Sequence, residues 1–387
     1  MKSVEIQLAF KTYFGHSPQY FVQAPGRINM IGEHTDYNQG FVLPAAINKN
    51  IYFAVSKRSD SQLHLYSVDL EDHLEVCFES ILPSEKGWAN FLLGVVSEMQ
   101  KQGKNFDFGL NIAFGGNVPL GAGLSSSAAI ESGMGTLLNA LFNLDYSLLD
   151  LALIAQGAEQ RFAGLNCGIM DMYASLFGQR NRLIKLDCKS LSHEYLEVDL
   201  KGKSILLFNS GVKHSLADSA YNKRRAECEE GVSILKAHYP EVASLRDVEL
   251  MQLEKHKAEF PPVVYQRCLY VVSEAERMKK ATKALQNNDL ESFGQLMFET
   301  HDGLSQQYAV SCDELDTLVE LVRGKEGVFG ARMMGGGFGG CTLNLLDERV
   351  VENTIAETTK AYKNKYGFEP EHFVVEISDG CKIEELK

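Results

Sequence analysis

From Gly116 to Ala129 the chain reads Gly116-Asn117-Val118-Pro119-Leu120-Gly121-Ala122-Gly123-Leu124-Ser125-Ser126-Ser127-Ala128-Ala129. No strand or helix can pass through the glycine-proline part, so the chain must turn there. Beyond the turn the sequence is periodic. Ile130, Met134, Leu137, Leu138 and Leu141 recur at helical spacing, which predicts a helix from about Ser126. The residues before the turn have a period of their own. Phe108, Leu110, Ile112 and Phe114 alternate with Gly109, Asn111 and Ala113, as in a half-buried strand. A strand, a glycine turn and a helix that opens on hydroxyls make a good anion site. Glycines let backbone approach a ligand closely, and a helix N-terminus presents free N–H donors with a partial positive charge. A structural cap would need only one serine. No GxxxxGK[ST] loop occurs anywhere in the chain.

A second glycine cluster spans Met333-Met334-Gly335-Gly336-Gly337-Phe338-Gly339-Gly340-Cys341. Gly335, Gly337 and Gly340 satisfy GxGxxG, but a dinucleotide site needs a helix afterwards. Here Cys341–Leu346 reads as a strand. The cluster predicts close backbone approach to another loop or to a ligand.

The third distinctive stretch is Ala24-Pro25-Gly26-Arg27-Ile28-Asn29-Met30-Ile31-Gly32-Glu33-His34-Thr35-Asp36-Tyr37-Asn38-Gln39-Gly40. A solvated loop would not carry Ile28, Met30 and Ile31. Glu33, His34 and Asp36 have the hydrogen-bonding character of groups that hold a neutral sugar.

The rest of the chain gives a frame. Residues 51–56 and 63–68 read as adjacent strands joined by a polar turn, 148–162 as a helix and 204–208 as a buried strand. Segments 218–238, 265–287, 289–301 and 313–323 read as helices, and 349–365 and 372–377 as a helix and a strand. A strand-rich half followed by a mixed half suggests α+β, with domains at 1–197 and 198–387. The net charge of −13 argues against nucleic acid as a partner. No stretch is long and apolar enough to span a membrane. The eight cysteines show no metal-ligand spacing and read as reduced thiols of a cytoplasmic protein.

Taken together, these segments resemble the galactokinase family of the GHMP kinases. Arg27–Pro44 is similar to the family's sugar signature, Gly121–Ala129 to the superfamily's phosphate loop, and Arg332–Thr342 to its third motif. Cys167-Gly168-Ile169-Met170-Asp171 resembles the segment bearing the catalytic Asp, and Trp88-Ala89-Asn90 an element near the adenine. The resemblance implies a ribosomal-S5-like N-terminal domain and a ferredoxin-like C-terminal one. It implies ATP-dependent phosphorylation of the C1 hydroxyl of galactose. Asp171 would be the general base and Arg27 the cation that stabilises the transition state. Glu33, His34, Thr35, Asp36, Gly168 and Tyr221 would contact the sugar. Ser67, Trp88 and Gly121, Ala122, Gly123, Leu124, Ser125, Ser126 and Ser127 would lie on the nucleotide side. Ser127 and Glu159 would hold Mg²⁺. A monomer is expected, with a homodimer left open.

Met172 stands where the family usually has Gln, and Met334 where Thr is common. Neither change removes a group the chemistry requires. Without the resemblance, Glu159 would read as a solvated mid-helix acid and Trp88 as packing. A kinase for N-acetylgalactosamine or a pentose is one alternative. A non-catalytic galactose and ATP sensor is another, although the serine loop and Asp171 are both intact.

Overall fold

The computed structural model describes residues 3–119, 121–212 and 217–386, with the side chains of all of these but 217–219. The strands are β1 Tyr20–Asn29, β2 Phe41–Val42, β3 Pro44–Lys57, β4 Gln62–Ser67, β5 Asp72–Cys77, β6 Leu110–Gly116, β7 Arg182–Asp187, β8 Ser192–Glu197, β9 Lys203–Asn209, β10 Val328–Met333, β11 Cys341–Asp347, β12 Glu371–Val375 and β13 Lys382–Glu385. The helices are α1 Ser3–Phe14, α2 Gly87–Lys101, α3 Ser126–Leu141, α4 Leu148–Ala158, α5 Met170–Phe177, α6 Ala217–Lys236, α7 Leu250–Lys255, α8 Pro262–Gln286, α9 Leu290–Asp302, α10 Asp313–Glu320 and α11 Val351–Tyr366.

Three sheets result. The first has the order β13-β1-β3-β6-β4-β5, the second β10-β11-β9-β12, and a small third β2-β7-β8. In the second, the chain runs strand, helices, two strands, helix, strand. That sequence, with this strand order, is the ferredoxin-like split βαβ arrangement. Its two central strands alternate cleanly. Ile205, Leu207, Leu343 and Leu345 join the large core under the first sheet. Leu206, Phe208 and Leu346 face the other way, onto Val351 and Tyr362 of α11. The stretch between β8 and β9 carries no regular element, and β13 returns to pair with β1.

The first sheet corrects two expectations. Residues 51–56 and 63–68 are not neighbours. β6 lies between them, antiparallel to β3 and parallel to β4. Nor is β6 half-buried: it is buried from Leu110 to Gly115. Its less apolar face is covered by α1, whose Ile6 and Phe10 pack on Phe21, Ala54 and Ala113. Asn111 on that face is satisfied by Arg58 and Ser56. A strand covered on both faces takes the interior of a sheet, which is why β6 displaces the expected hairpin.

α3 begins at Ser126, where the periodicity places it. It is seated on the sheet by a glycine. A Cβ at Gly133 would stand 2.4 Å from the Phe53 ring and 3.0 Å from Ala24 Cβ. The helix therefore lies closer to β1 and β3 than any side chain would permit, and its N-terminal serines are held over Arg27. Gly133→Ala should destabilise the protein. Overpacking costs about 1–3 kcal/mol and outweighs the ~1 kcal/mol of helix propensity that alanine adds. A denaturant midpoint equal to or above the wild type's would contradict this packing.

Candidate active site

Arg27 lies on β1 just past a register shift between Pro25 and Arg27. Its guanidinium is buried and pairs with Asp171 through two bonds, Nε–Oδ1 at 2.8 Å and Nη2–Oδ2 at 2.7 Å. Asp171 sits in the first turn of α5. The third side of the guanidinium reaches the phosphate loop, with Nη1 donating to the Gly123 carbonyl at 2.5 Å. Burial works against the Arg27 charge, but Asp171 and Glu33 raise its pKa above the usual value. Ser125 completes the group by donating its hydroxyl to Asp171 Oδ2.

The loop can do this because its backbone is unusual. Gly121, Gly123 and Ser125 all have left-handed φ, at 69°, 71° and 58°. A Cβ at Gly26 would lie 2.7 Å from the Leu124 carbonyl, so β1 and the loop touch backbone to backbone. The second glycine cluster presses on the same loop. A Cβ at Gly123 would be 3.1 Å from the Met334 carbonyl, and one at Gly335 would be 3.2 Å from the Gly123 carbonyl. Its close approach is to this loop, and Gly335, Gly336 and Gly337 also line the cavities at the site.

Two cavities meet at the Arg27–Asp171 pair. The larger, about 300 Å³, is lined by the loop, Ser125, Ser126, Ser127 and Glu159. The smaller, about 40 Å³, is lined by Glu33, His34, Asp36, Gly168 and Tyr221. Arg27, Asp171 and Tyr221 line both.

In the larger cavity Ser127 donates to Glu159 Oε1 at 2.8 Å. Glu159 is buried where α4 passes into a π-turn spanning Glu159–Ala163. The widened turn aims it inward, unlike the solvated acid its mid-helix position suggests. Burial raises its pKa to about 7, with the Asp171 charge adding to the effect and the Ser127 hydrogen bond opposing it. Gly121, Gly123 and Leu124 line the cavity, while Ala122 is fully buried and does not.

In the smaller cavity Glu33 is tightly held. It accepts from Asn29 Nδ2 at 2.6 Å, Arg332 Nη2 at 2.6 Å and the Gly335 amide at 2.6 Å. His34 shares a hydrogen bond with Tyr37 through Nδ1 at 2.8 Å, while its Nε2 is buried without a partner. Burial lowers the His34 pKa to about 3, with the Gly336 backbone opposing the shift and Arg224 and Arg332 adding to it, so the ring is neutral. Asp36 keeps part of its surface on the void yet is surrounded by protein. Burial raises its pKa to about 7, and Asp171 pushes in the same direction. Gly168 has to be glycine, because a Cβ there would fall 1.9 Å from an Asp36 oxygen. Burial also raises the Tyr221 phenol well above its ordinary value.

Besides Ala122, three expected site residues lie off the cavity walls. Thr35 is buried, its hydroxyl within reach of the Gly32 and Phe41 carbonyls at 2.8 and 2.7 Å, where it closes the signature loop. Trp88 donates to Asp72 at 2.9 Å and packs against Phe114, and Ser67 pairs with Phe114 across the β4–β6 ladder. Both stand beside the end of β6, where the chain enters the phosphate loop.

Arg332 had no role from the sequence. It is fully buried and bonds to Glu33, to the Met30 carbonyl at 2.9 Å and to the Met333 carbonyl at 2.8 Å. The available signal was a single charge inside the otherwise apolar strand Gly330-Ala331-Arg332-Met333-Met334, which requires a buried partner.

Comparison with known proteins agrees with this geometry. The GHMP kinase N-terminal domain matches residues 90–179, the GHMP kinase C-terminal domain 281–364, and the galactokinase galactose-binding signature 8–57. A galactokinase of Clostridium beijerinckii is 40% identical over 377 residues, covering 96% of this chain and 97% of that one. One from Staphylococcus saprophyticus is 41% identical over 382 residues, covering 98% and 99%. The crystal structure of Lactococcus lactis galactokinase complexed with galactose superposes with a TM-score of 0.94 at 32% identity, covering 98% of this chain and 99% of that one. A mevalonate kinase shares the fold alone, with a TM-score of 0.65 at 17% identity.

The fold and the paired cavities are those of a GHMP kinase, an ATP-dependent enzyme of small-molecule phosphorylation. Within that class, the chain belongs to the galactokinase family. It is a sugar kinase, with ATP as its phosphoryl donor.

Two outcomes test the electrostatics. Arg332→Met should cost about 3–5 kcal/mol, because it leaves the Glu33 carboxylate buried without its cation. A loss below about 1 kcal/mol by chemical denaturation would show that pair to be dispensable. Asp36 should impose a pH-dependent penalty. Its folded pKa, about 7, lies above the ordinary carboxylate value, so the folded state holds a proton that the unfolded state releases. The ligand-free wild type should therefore lose stability relative to Asp36→Asn as pH rises from about 4 to about 7. Parallel melting curves across that range would contradict the assignment.

Proposed function

We propose that this chain phosphorylates the C1 hydroxyl of D-galactose with ATP, giving galactose 1-phosphate. The sugar occupies the smaller cavity and the triphosphate the larger. The observation that carries this reading is the Arg27–Asp171 pair at the boundary of the two cavities.

The hydrogen-bond inventory supports specific roles. Asp171 has about four acceptor positions and uses three, two from Arg27 and one from Ser125. The position left on Oδ1 can take the C1 hydroxyl and accept its proton as the hydroxyl attacks phosphorus. Arg27 has five N–H donors and uses three, so two remain for the transferring phosphoryl group. The free Nε2 of neutral His34 and the carboxyl of Asp36 suit sugar hydroxyls. Glu33 retains one acceptor position after three bonds, and Gly168 and Tyr221 complete the wall. The amides at the start of α3, with Ser125, Ser126 and Ser127, hold the phosphates. Trp88 and Ser67 lie toward the nucleotide.

Ser127 and Glu159 fit Mg²⁺. A hydroxyl and a buried carboxylate, both hard oxygen donors, face the cavity that would hold the phosphates. The ion, when bound, neutralises charge on the β- and γ-phosphates. All residues of both cavities come from one chain, so a monomer suffices. ATP dependence and the eight free cysteines suit the cytoplasm.

ADP release across a panel of galactose, N-acetylgalactosamine and pentoses tests the substrate. Galactose should be preferred, and turnover of N-acetylgalactosamine at an equal or higher rate would replace it. Asp171→Asn keeps the shape of the side chain and removes its basicity. It should lower kcat by about 10²–10⁴-fold and leave galactose binding largely intact. A near-normal kcat would remove the base role.

A further inference from the structure

The helix that presents Ser126 and Ser127 carries a further acid. Glu131 lies one turn beyond Ser127 on α3, at the spacing that puts both side chains on one face. It is fully buried. Neither of its carboxyl oxygens has a hydrogen-bond partner, and no other described carboxyl has both oxygens in that condition. Buried polar atoms are nearly always paired, and a stranded carboxyl is destabilising.

Its neighbours explain why it is kept. On α3 its buried neighbours include Ala128, Ala129, Ile130 and Met134, none of which offers the carboxyl a side-chain hydrogen bond. The charges of Glu159 and Asp171 reach it. Burial first, and then the charges of these two acids, raise the Glu131 pKa well above the ordinary value. The Cys167 thiol, which lies 3.5 Å from Glu159 Oε2, also feels Glu131. Glu131 is therefore a buried carboxyl one helical turn from Ser127 with no protein partner of its own.

We infer that Glu131 is a positioning residue for the divalent cation: through ordered water it fixes the orientation of the Ser127 and Glu159 oxygens that hold the ion. Outer groups of this kind orient metal ligands, and their removal typically weakens binding by about 10–100-fold. The inference rests on the proposed role of Ser127 and Glu159 as ligands of the cation.

The test is Mn²⁺ binding in the presence of ADP, followed by the paramagnetic resonance of the free ion. Wild type is compared with Glu131→Met, Glu131→Gln and Glu159→Gln, and each variant is also melted without ligand and titrated with galactose. Glu131→Met should melt at a higher temperature than wild type, since the stranded carboxyl is gone. It should bind Mn²⁺ at least about tenfold more weakly, with galactose affinity unchanged. Glu131→Gln can still donate and accept, and should recover part of the Mn²⁺ affinity. A purely structural Glu131 would shift the melting temperature alone. If Glu131→Met binds Mn²⁺ like wild type while Glu159→Gln does not, the inference is overturned and the cation site stands. If Glu159→Gln also binds like wild type, the cation site itself is misassigned and the inference falls with it.

Discussion

The Arg27–Asp171 pair is the interaction on which the site is built. It joins a strand of the first sheet, the first turn of α5 and, through Gly123, the phosphate loop. Arg27 is nearly inaccessible to solvent, so removing Asp171 would strand its charge at the junction of the two cavities. The pair also fixes a distance. In the proposed reaction, a proton acceptor for the sugar and a cation for the phosphoryl group are thereby set side by side before either substrate arrives. Phosphoryl transfer demands such positioning more than it demands covalent help.

A second buried pair, Glu33–Arg332, locks the third-motif loop against the sugar signature. The glycines of both loops then let three backbones, β1 among them, come into direct contact. The cost of this compactness is electrostatic. Asp36 and Glu159 are packed near Asp171 and titrate near neutrality in the free protein.

Much of the site was legible because its chemistry is local in sequence. The serine-tipped helix announced itself by glycines, hydroxyls and an apolar period, and it begins at Ser126 as expected. The signature from Arg27 to Asp36 stood out as polar groups threaded with apolar anchors. What the sequence could not convey is pairing over distance. Glu33 and Arg332 are 299 positions apart, and nothing local joins them. The place of β6 between β3 and β4 was hidden for a similar reason. Its alternation looked half-exposed because the helix that covers it, α1, lies at the other end of the domain's sequence. Glu159 was misjudged without the family resemblance because a π-turn, not a regular helix, decides where it points.

The central claim is that Asp171 faces the sugar's C1 hydroxyl with the triphosphate on the opposite side. A crystal structure with galactose and a non-transferring ATP analogue bound together tests it most directly. The account predicts the C1 oxygen about 2.6–3.2 Å from Asp171 Oδ1, with the γ-phosphate against residues 125–127. A different hydroxyl facing Asp171, or a triphosphate lying outside the serine loop, would contradict it.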